Sequence, residues 1–170
     1  MTHEEADSGK ANQGQKQVGG YENCSITVIA YEARRRGLDV TAHVFNHEED
    51  SWCYKIGKDE YEYIGWEKVK KERVRKIKII NGVAVTKDIE SATKNIGRYH
   101  FSWDYEKGYG HVITAERLRS GELVIYDPQD DTYWELSNFK GIKKGTFKVL
   151  RVDNLLFNVN VVSNILRPIS

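Results

Sequence analysis

The sequence predicts an α+β fold in which one helix near the N-terminus precedes an antiparallel β-sheet. Two patterns lead to this prediction. In residues 25–36, apolar side chains recur at spacings of three and four, as they do on one face of a helix. In residues 99–105, aromatic side chains alternate with polar ones, as in a strand that is buried on one face.

Length and composition favour one globular domain. The chain has 170 residues and a formal net charge of +1, which provides no overall field toward nucleic acid or an anionic membrane. Residues 1–20 are polar, as in a flexible arm or linker, and we expect the folded domain to span residues 21–170. No apolar run approaches the roughly 18 residues of a membrane span, and no secretory signal is visible. We therefore expect a protein that works in an aqueous compartment.

The predicted helix has start and stop signals that agree with each other. Asn23 can cap its N-terminus, and Gly37 can adopt the left-handed conformation that ends a helix. We assign Glu32 and residues 34–36 to the polar face. The apolar face consists of four residues, Ile26, Ile29, Ala30 and Ala33.

The middle of the chain gives fewer signals. Residues 50–72 show no clear period and stay unassigned. Asn81-Gly82 lies between two β-favouring runs, residues 75–80 and 83–86, which predicts a tight hairpin. Residues 88–95 then predict a short helix that ends before Gly97.

The second half of the chain reads as an antiparallel meander. After the strand at residues 99–105, glycine-containing turns separate further β-favouring runs. The predicted strands cover residues 111–118, 122–126, 133–136 and 146–152.

Three residues at the ends of predicted elements could form a reactive site. Cys24 precedes the helix, where backbone dipoles favour a thiolate. His111 begins one strand and Asp127 ends the next. Cysteine, histidine and aspartate supply a nucleophile, a base and a group that orients the base.

The hairpin between His111 and Asp127 tests whether these two residues can meet. A two-residue turn would place Asp127 opposite Thr114, on the face that His111 does not share. A three-residue loop places Asp127 opposite Ile113, one diagonal step from His111 on the same face. Such a loop needs a left-handed residue at its third position, and Gly121 supplies it. We therefore predict the three-residue loop, 119–121.

A nucleophilic site also needs donors for a developing oxyanion. The backbone N–H of Cys24 would have no acceptor within the helix and could serve as one. The second donor stays open among three side chains, Gln17, Asn23 and Gln129.

Each catalytic candidate also has an ordinary structural interpretation. A cysteine before a helix is more often a small buried residue, and Gly-His and Asp-Pro are common in turns. The order of the three residues and their placement at element ends favour the nucleophilic interpretation.

The other cysteine and a pair of histidines do not indicate a second functional site. Cys53 has no helix start or basic neighbour, and we interpret it as structural, although a Cys24–Cys53 disulfide is an alternative. His43 and His47 are spaced like zinc ligands but lack a third ligand, so no metal or cofactor is expected.

A basic stretch at residues 68–78 could contact nucleic acid or an acidic partner. Because Glu67 and Glu72 interrupt it, we favour a solvated face and expect no nucleic-acid partner.

Taken as a set, four motifs in residues 21–153 resemble the papain-fold toxin (Tox-PL) family. These motifs are Asn23-Cys24, the run AYEARRRGLDV at residues 30–40, Gly110-His111 and Asp127-Pro128-Gln129. The family contains glutamine-deamidase-like domains of bacterial polymorphic toxins and effectors, and related domains of phage head proteins.

The resemblance implies a papain-like fold with the cysteine helix packed on the antiparallel sheet. It implies a catalytic triad of Cys24, His111 and Asp127. Our own candidates for oxyanion or substrate binding beside this triad are Asn23 and Gln129. The implied reaction is deamidation of a glutamine in a target protein through a thioester, without a cofactor.

Three other activities remain open. A papain-like protease or a transglutaminase would use the same residues, and a phage head-associated interaction module would use none of them catalytically. For a toxin, the implied partners are a target protein and an immunity protein, with no membrane partner. The implied location is the cytoplasm of a target cell, which the protein reaches by secretion or delivery. The alternative is the cytoplasm of the bacterium in which a bacterial or phage gene encodes the protein.

Overall fold

The computed structural model describes residues 2–3, 10–12, 24–42, 66–67 and 69–169. The chain is α+β, as the sequence predicts, and divides into two compact units. The first unit contains residues 1–70, 128–131 and 155–170. The second contains residues 71–127 and 132–154.

The described residues contain α-helices and short antiparallel strands. The helices are α1 (Cys24–Arg35), α2 (Thr86–Ala92) and α3 (Val159–Ile165). The strands are β1 (Val40–Ala42), β2 (Val74–Lys76), β3 (Ile79–Ile80), β4 (Val83–Ala84), β5 (Gly97–Asp104), β6 (Gly110–Arg117), β7 (Leu123–Asp127), β8 (Thr132–Trp134), β9 (Lys148–Arg151) and β10 (Leu166–Pro168). None of the described helices combines the length and apolar composition needed to cross a bilayer.

Helix α1 ends as the sequence predicts. Gly37 has a φ of 100°. Its N–H donates to the carbonyl of Arg34 (2.9 Å), and the N–H of Leu38 donates to the carbonyl of Ala33 (3.0 Å). This pair of bonds is the Schellman arrangement, which satisfies the last carbonyls of a helix through a left-handed glycine. The predicted apolar face is buried throughout.

The prediction of a polar face on α1 is wrong for Glu32 and Arg34. Each is only 1% exposed. Glu32 accepts a hydrogen bond from Arg36 Nε (2.8 Å), and Arg34 donates to Asp39 (3.0 Å) and to the carbonyl of Val40 (3.3 Å). Burial of these charges is tolerated because each is paired with an oppositely charged group.

The end of α1 is also held by aromatic contacts. The Arg36 guanidinium lies over the rings of Phe157 (4.4 Å) and Trp66 (5.2 Å), which stack on each other at 4.9 Å. Cation–π contacts of this kind stabilise a guanidinium that is partly removed from water. Arg34 and Arg36 therefore hold the end of α1 within its unit.

The C-terminal segment completes the first unit. Strand β10 pairs antiparallel with β1, so that Thr41 faces Arg167. The sequence patterns predict neither α3 nor β10. In the polar segment 1–20, described residues contribute to this unit: Ala11 is 1% exposed, and His3 Nδ1 lies 2.6 Å from Tyr31 Oη.

The second unit is built around a six-stranded sheet in the order β2-β9-β5-β6-β7-β8. Strands β5 to β8 follow one another as a meander, as predicted. The prediction is wrong for β9, which pairs with β5 instead of continuing beyond β8. This pairing sets Val149 opposite Phe101, and both side chains are buried in the core of the unit.

The predicted hairpin and short helix precede the central strands. Asn81 and Gly82 both have positive φ (51° and 76°), as a two-residue hairpin turn between β3 and β4 requires. Helix α2 begins two residues earlier than predicted, at Thr86, and Asp88 then accepts the backbone N–H of Lys78 (3.1 Å). It ends at Ala92 and is capped by Thr93, whose N–H and hydroxyl both donate to the carbonyl of Ile89.

One face of the sheet carries the hydrophobic core of the second unit. Odd-numbered residues of β5 and β6 share this face because their side chains alternate across the pleat. The core includes Tyr99, Phe101, Trp103, Ile113, Ala115, Ile125, Phe139, Ile142, Phe147 and Val149.

Candidate active site

His111 and Asp127 form a hydrogen-bonded pair in the second unit. His111 Nε2 lies 2.6 Å from Asp127 Oδ2, and the two side chains are 14% and 3% exposed. An ionised carboxylate only accepts hydrogen bonds, so the imidazole donates through Nε2–H. That hydrogen bond favours the tautomer in which Nδ1 is the basic nitrogen.

The loop between β6 and β7 brings this pair together. Thr114 faces Tyr126, and Leu118 N–H donates to the carbonyl of Glu122 (2.9 Å). The loop therefore has three residues, 119–121, and Gly121 at its third position has a φ of 91°. The predicted register is confirmed: Asp127 falls on the same face as His111, within reach of its ring.

The preceding hairpin places a tryptophan beside the imidazole. Strand β5 pairs with β6 so that Trp103 lies directly opposite His111. The two rings meet edge to face, with centroids 5.5 Å apart. Trp103 is only 2% exposed. Its indole therefore shields one side of His111 from water.

Trp134 contributes a second aromatic wall. It faces Ile125 across β7 and β8, which places it on the same face as Asp127. Its ring lies 6.2 Å from the His111 ring at an interplanar angle of 30° and 5.5 Å from the Trp103 ring. Aromatic surroundings lower the local dielectric, which strengthens the hydrogen bond between an imidazole and a carboxylate.

Sequence reasoning did not assign either tryptophan to the site. The sequence predicts Trp103 within an alternating strand, and only the register between β5 and β6 shows that it lies beside His111. Trp134 follows the four-residue connection 128–131, in which Asp131 has a φ of 59°. The sequence offered no comparable signal for the register of β8.

Gly110 lies where β5 approaches β6 closely. A Cβ at this position would lie 2.8 Å from Asp104 Oδ1 and 3.3 Å from the carbonyl oxygen of Trp103. The glycine of the Gly-His motif therefore allows β6 to start against β5, where His111 follows.

Cys24 is the first residue of α1 and belongs to the first unit. Its thiol is free and half-buried. At this position its backbone N–H has no acceptor within the helix. Gln129 also belongs to the first unit and is 6% exposed.

Several sequence-predicted residues lie outside the described part of the chain. They are Gln17, Asn23, His43, His47 and Cys53. The cap by Asn23 and the paired histidines therefore stay predictions, whereas the free thiol of Cys24 does not support the alternative of a Cys24–Cys53 disulfide. Among the residues that the structure describes, no group of three His, Cys, Asp or Glu residues could hold a metal ion.

The basic stretch faces solvent where it is described. Its exposed cations are Lys70, Arg73, Arg75, Lys76 and Lys78. Arg75 and Lys76 belong to β2, an outermost strand of the sheet. Exposed charges on such a strand oppose edge-to-edge association.

No protein-family model matches this sequence, and no curated protein sequence is significantly similar to it. The likeness to papain-fold toxins therefore rests on the motifs alone. Two of these motifs now have local structural reasons, the helix end at Gly37 and the strand start at Gly110.

Proposed function

We propose that this chain is a cysteine-nucleophile amidohydrolase of the papain-like kind that deamidates a glutamine side chain in a target protein. Cys24 is the nucleophile, His111 the base, and Asp127 the residue that orients and stabilises the imidazole. The observation that supports the proposal most strongly is the buried 2.6 Å hydrogen bond between His111 and Asp127. The α+β architecture and the position of Cys24 at the start of a helix are compatible with the papain-fold toxin family.

The first step is a proton transfer from the Cys24 thiol to the imidazole. Because Nε2 of His111 is engaged by Asp127, Nδ1 receives the proton. The product is a thiolate and an imidazolium, and the Asp127 carboxylate stabilises the positive charge. The helix dipole at the start of α1 favours the negative charge on sulfur.

The thiolate then adds to the carboxamide carbon of the substrate glutamine. Negative charge develops on the carboxamide oxygen, and the backbone N–H of Cys24 donates to it. Asn23 and Gln129 are the candidates for a second donor. Two donors aimed at the same oxygen stabilise the tetrahedral intermediate.

Collapse of the intermediate releases ammonia. The imidazolium of His111 gives its proton to the departing nitrogen, and a thioester with Cys24 remains. His111 then removes a proton from water, whose oxygen attacks the thioester carbon. The carbon–sulfur bond breaks, so that glutamate is released and the Cys24 thiolate is regenerated. The net reaction converts a carboxamide and water into a carboxylate and ammonium, and it needs no metal or nucleotide.

The substrate partner is a protein with an accessible glutamine. Deamidation removes a hydrogen-bond donor from this glutamine and adds a negative charge. In a toxin, the site would act in the cytoplasm of a recipient cell, and an immunity protein would protect the producing cell.

Intact-mass analysis of recipient-cell proteins tests the proposal. We expect a target that gains about 1 Da, as amide-to-acid conversion requires, with the wild type and not with Cys24→Ala. Cleavage of the target would indicate a protease, and a mass gain equal to a bound amine would indicate a transglutaminase. A target modified equally by Cys24→Ala would contradict the proposal.

A further inference from the structure

An exposed tyrosine lies two residues before His111. Tyr109 is 58% exposed, although its ring contacts Tyr105 with centroids 4.8 Å apart. Tyr105 meets Trp103 edge to face at 5.8 Å, and Trp103 meets His111 at 5.5 Å. A continuous row of rings therefore runs from the imidazole to an aromatic side chain in solvent.

The β5–β6 loop fixes the direction of Tyr109. Tyr105 N–H donates to the carbonyl of Tyr109 (2.7 Å), and Gly108 N–H donates to the carbonyl of Tyr105 (2.9 Å). These bonds extend the pairing of β5 with β6 by one more pair of residues, Tyr105 and Tyr109. Because side chains alternate along a strand, Tyr109 lies on the same face as His111, about 7 Å along it.

We propose that Tyr109, supported by Tyr105, determines specificity by contacting an apolar side chain next to the reactive glutamine of the target polypeptide. The inference rests on the proposed function, which brings the glutamine to His111. Neighbouring residues of an extended polypeptide are spaced by roughly 3.3–3.6 Å, so a side chain within two residues of the glutamine reaches Tyr109.

The surroundings of Tyr109 favour an apolar contact over a charged one. The exposed residues beside it in the loop, Glu106 and Lys107, carry opposite charges and give no preference for either sign. A tyrosine ring offers a large contact surface and loses little side-chain entropy on binding. The ring of Tyr105 behind it further restricts its motion.

Tyr133 provides a matched control. It is 59% exposed, and its ring contacts another tyrosine, Tyr126, at 5.1 Å. Tyr133 faces Tyr126 across β7 and β8, whereas the neighbouring Trp134 faces Ile125. Tyr133 therefore lies on the opposite face of the sheet from His111.

Alkylation of Cys24 with peptide electrophiles tests this inference. Two short peptides carry a chloroacetamide in place of the glutamine side chain and differ only in a leucine or a glycine beside it. In each reaction the sulfur forms a bond to carbon and chloride leaves. All proteins, including the wild-type reference, carry Cys53→Ser, and the iodoacetamide rate of each protein corrects for changes in the thiol itself.

We expect the wild type to react about fivefold faster with the leucine peptide than with the glycine peptide. Tyr109→Ala should remove this preference, while Tyr109→Phe and Tyr133→Ala should keep it. Equal rates of the two peptides with the wild type, or a preference that survives Tyr109→Ala, would overturn the inference. An iodoacetamide rate that does not depend on His111 would instead contradict the proposed function.

Discussion

Gly108 and Gly121 occupy the same position in the two three-residue loops that flank β6. Both have positive φ (102° and 91°), and each donates its N–H to the last residue before its loop, Tyr105 (2.9 Å) or Leu118 (3.0 Å). Because each loop has an odd number of residues, odd-numbered residues of β5, β6 and β7 share one face. This repetition places three such residues side by side, Trp103, His111 and Asp127.

We expect Gly121→Ala to destabilise the protein by about 1–2 kcal/mol. A Cβ at Gly121 would meet no atom within 4 Å, so the cost comes from the backbone conformation alone. Denaturant unfolding measures the change, with the exposed Arg119→Ala as a control expected to stay within about 0.5 kcal/mol of the wild type. Equal stabilities of the two variants would show that this loop conformation is not required.

Arg117→Lys should also be destabilising, by about 2 kcal/mol, although it conserves the charge. The Arg117 guanidinium donates to the carbonyls of Thr93 (2.9 Å) and Gly121 (2.8 Å) and to Glu90 Oε2 (2.6 Å). A lysine carries its three donors on a single nitrogen atom, which cannot reach all three acceptors as the three guanidinium nitrogens do. A lysine variant as stable as the wild type, measured by denaturant unfolding, would contradict this account of the buried arginine.

Asp153 should make stability depend on pH in the acid range. Burial alone would raise the pKa of its carboxyl, but hydrogen bonds from Arg151 and the Arg98 backbone, with the charges of both arginines, lower that pKa below its ordinary value. A lowered folded-state pKa stabilises the protein above the unfolded pKa of about 3.9, and this contribution disappears as the pH falls through the folded value.

Unfolding of Asp153→Asn at two pH values measures this contribution. We expect the variant to be less stable than the wild type by about 1–2 kcal/mol at pH 7. The difference should decrease at a pH below about 3.9, as the wild-type carboxyl gains its proton. A difference of the same size at both pH values would assign the effect to packing instead of charge.

The sequence-based predictions were accurate for features that depend on interactions between residues close together in the sequence. The end of α1 depends on Gly37 and the β6–β7 loop depends on Gly121, and both glycines have a positive φ. Each lies within a few residues of the backbone groups whose hydrogen bonds it allows. Local rules therefore sufficed for both. The pair formed by His111 and Asp127 then followed from the register.

Long-range pairings could not be predicted in this way. Strand β9 is separated from β5 by three strands along the chain, and β10 pairs with β1 from the far end of the sequence. Neither pairing has a local signal. The burial of Glu32 and Arg34 was missed for a related reason, since a charged residue is read as exposed unless its partner is known.

The rate at which Cys24 reacts with iodoacetamide near pH 6.5 tests the central claim most directly, because the thiolate is the reacting species. The wild type should react at least about tenfold faster than His111→Ala in a Cys53→Ser background, and Asp127→Asn should lie between them. The double variant should be no slower than His111→Ala, since Asp127 acts through the imidazole. Equal rates for all four proteins would show that Cys24, His111 and Asp127 do not form one reactive site.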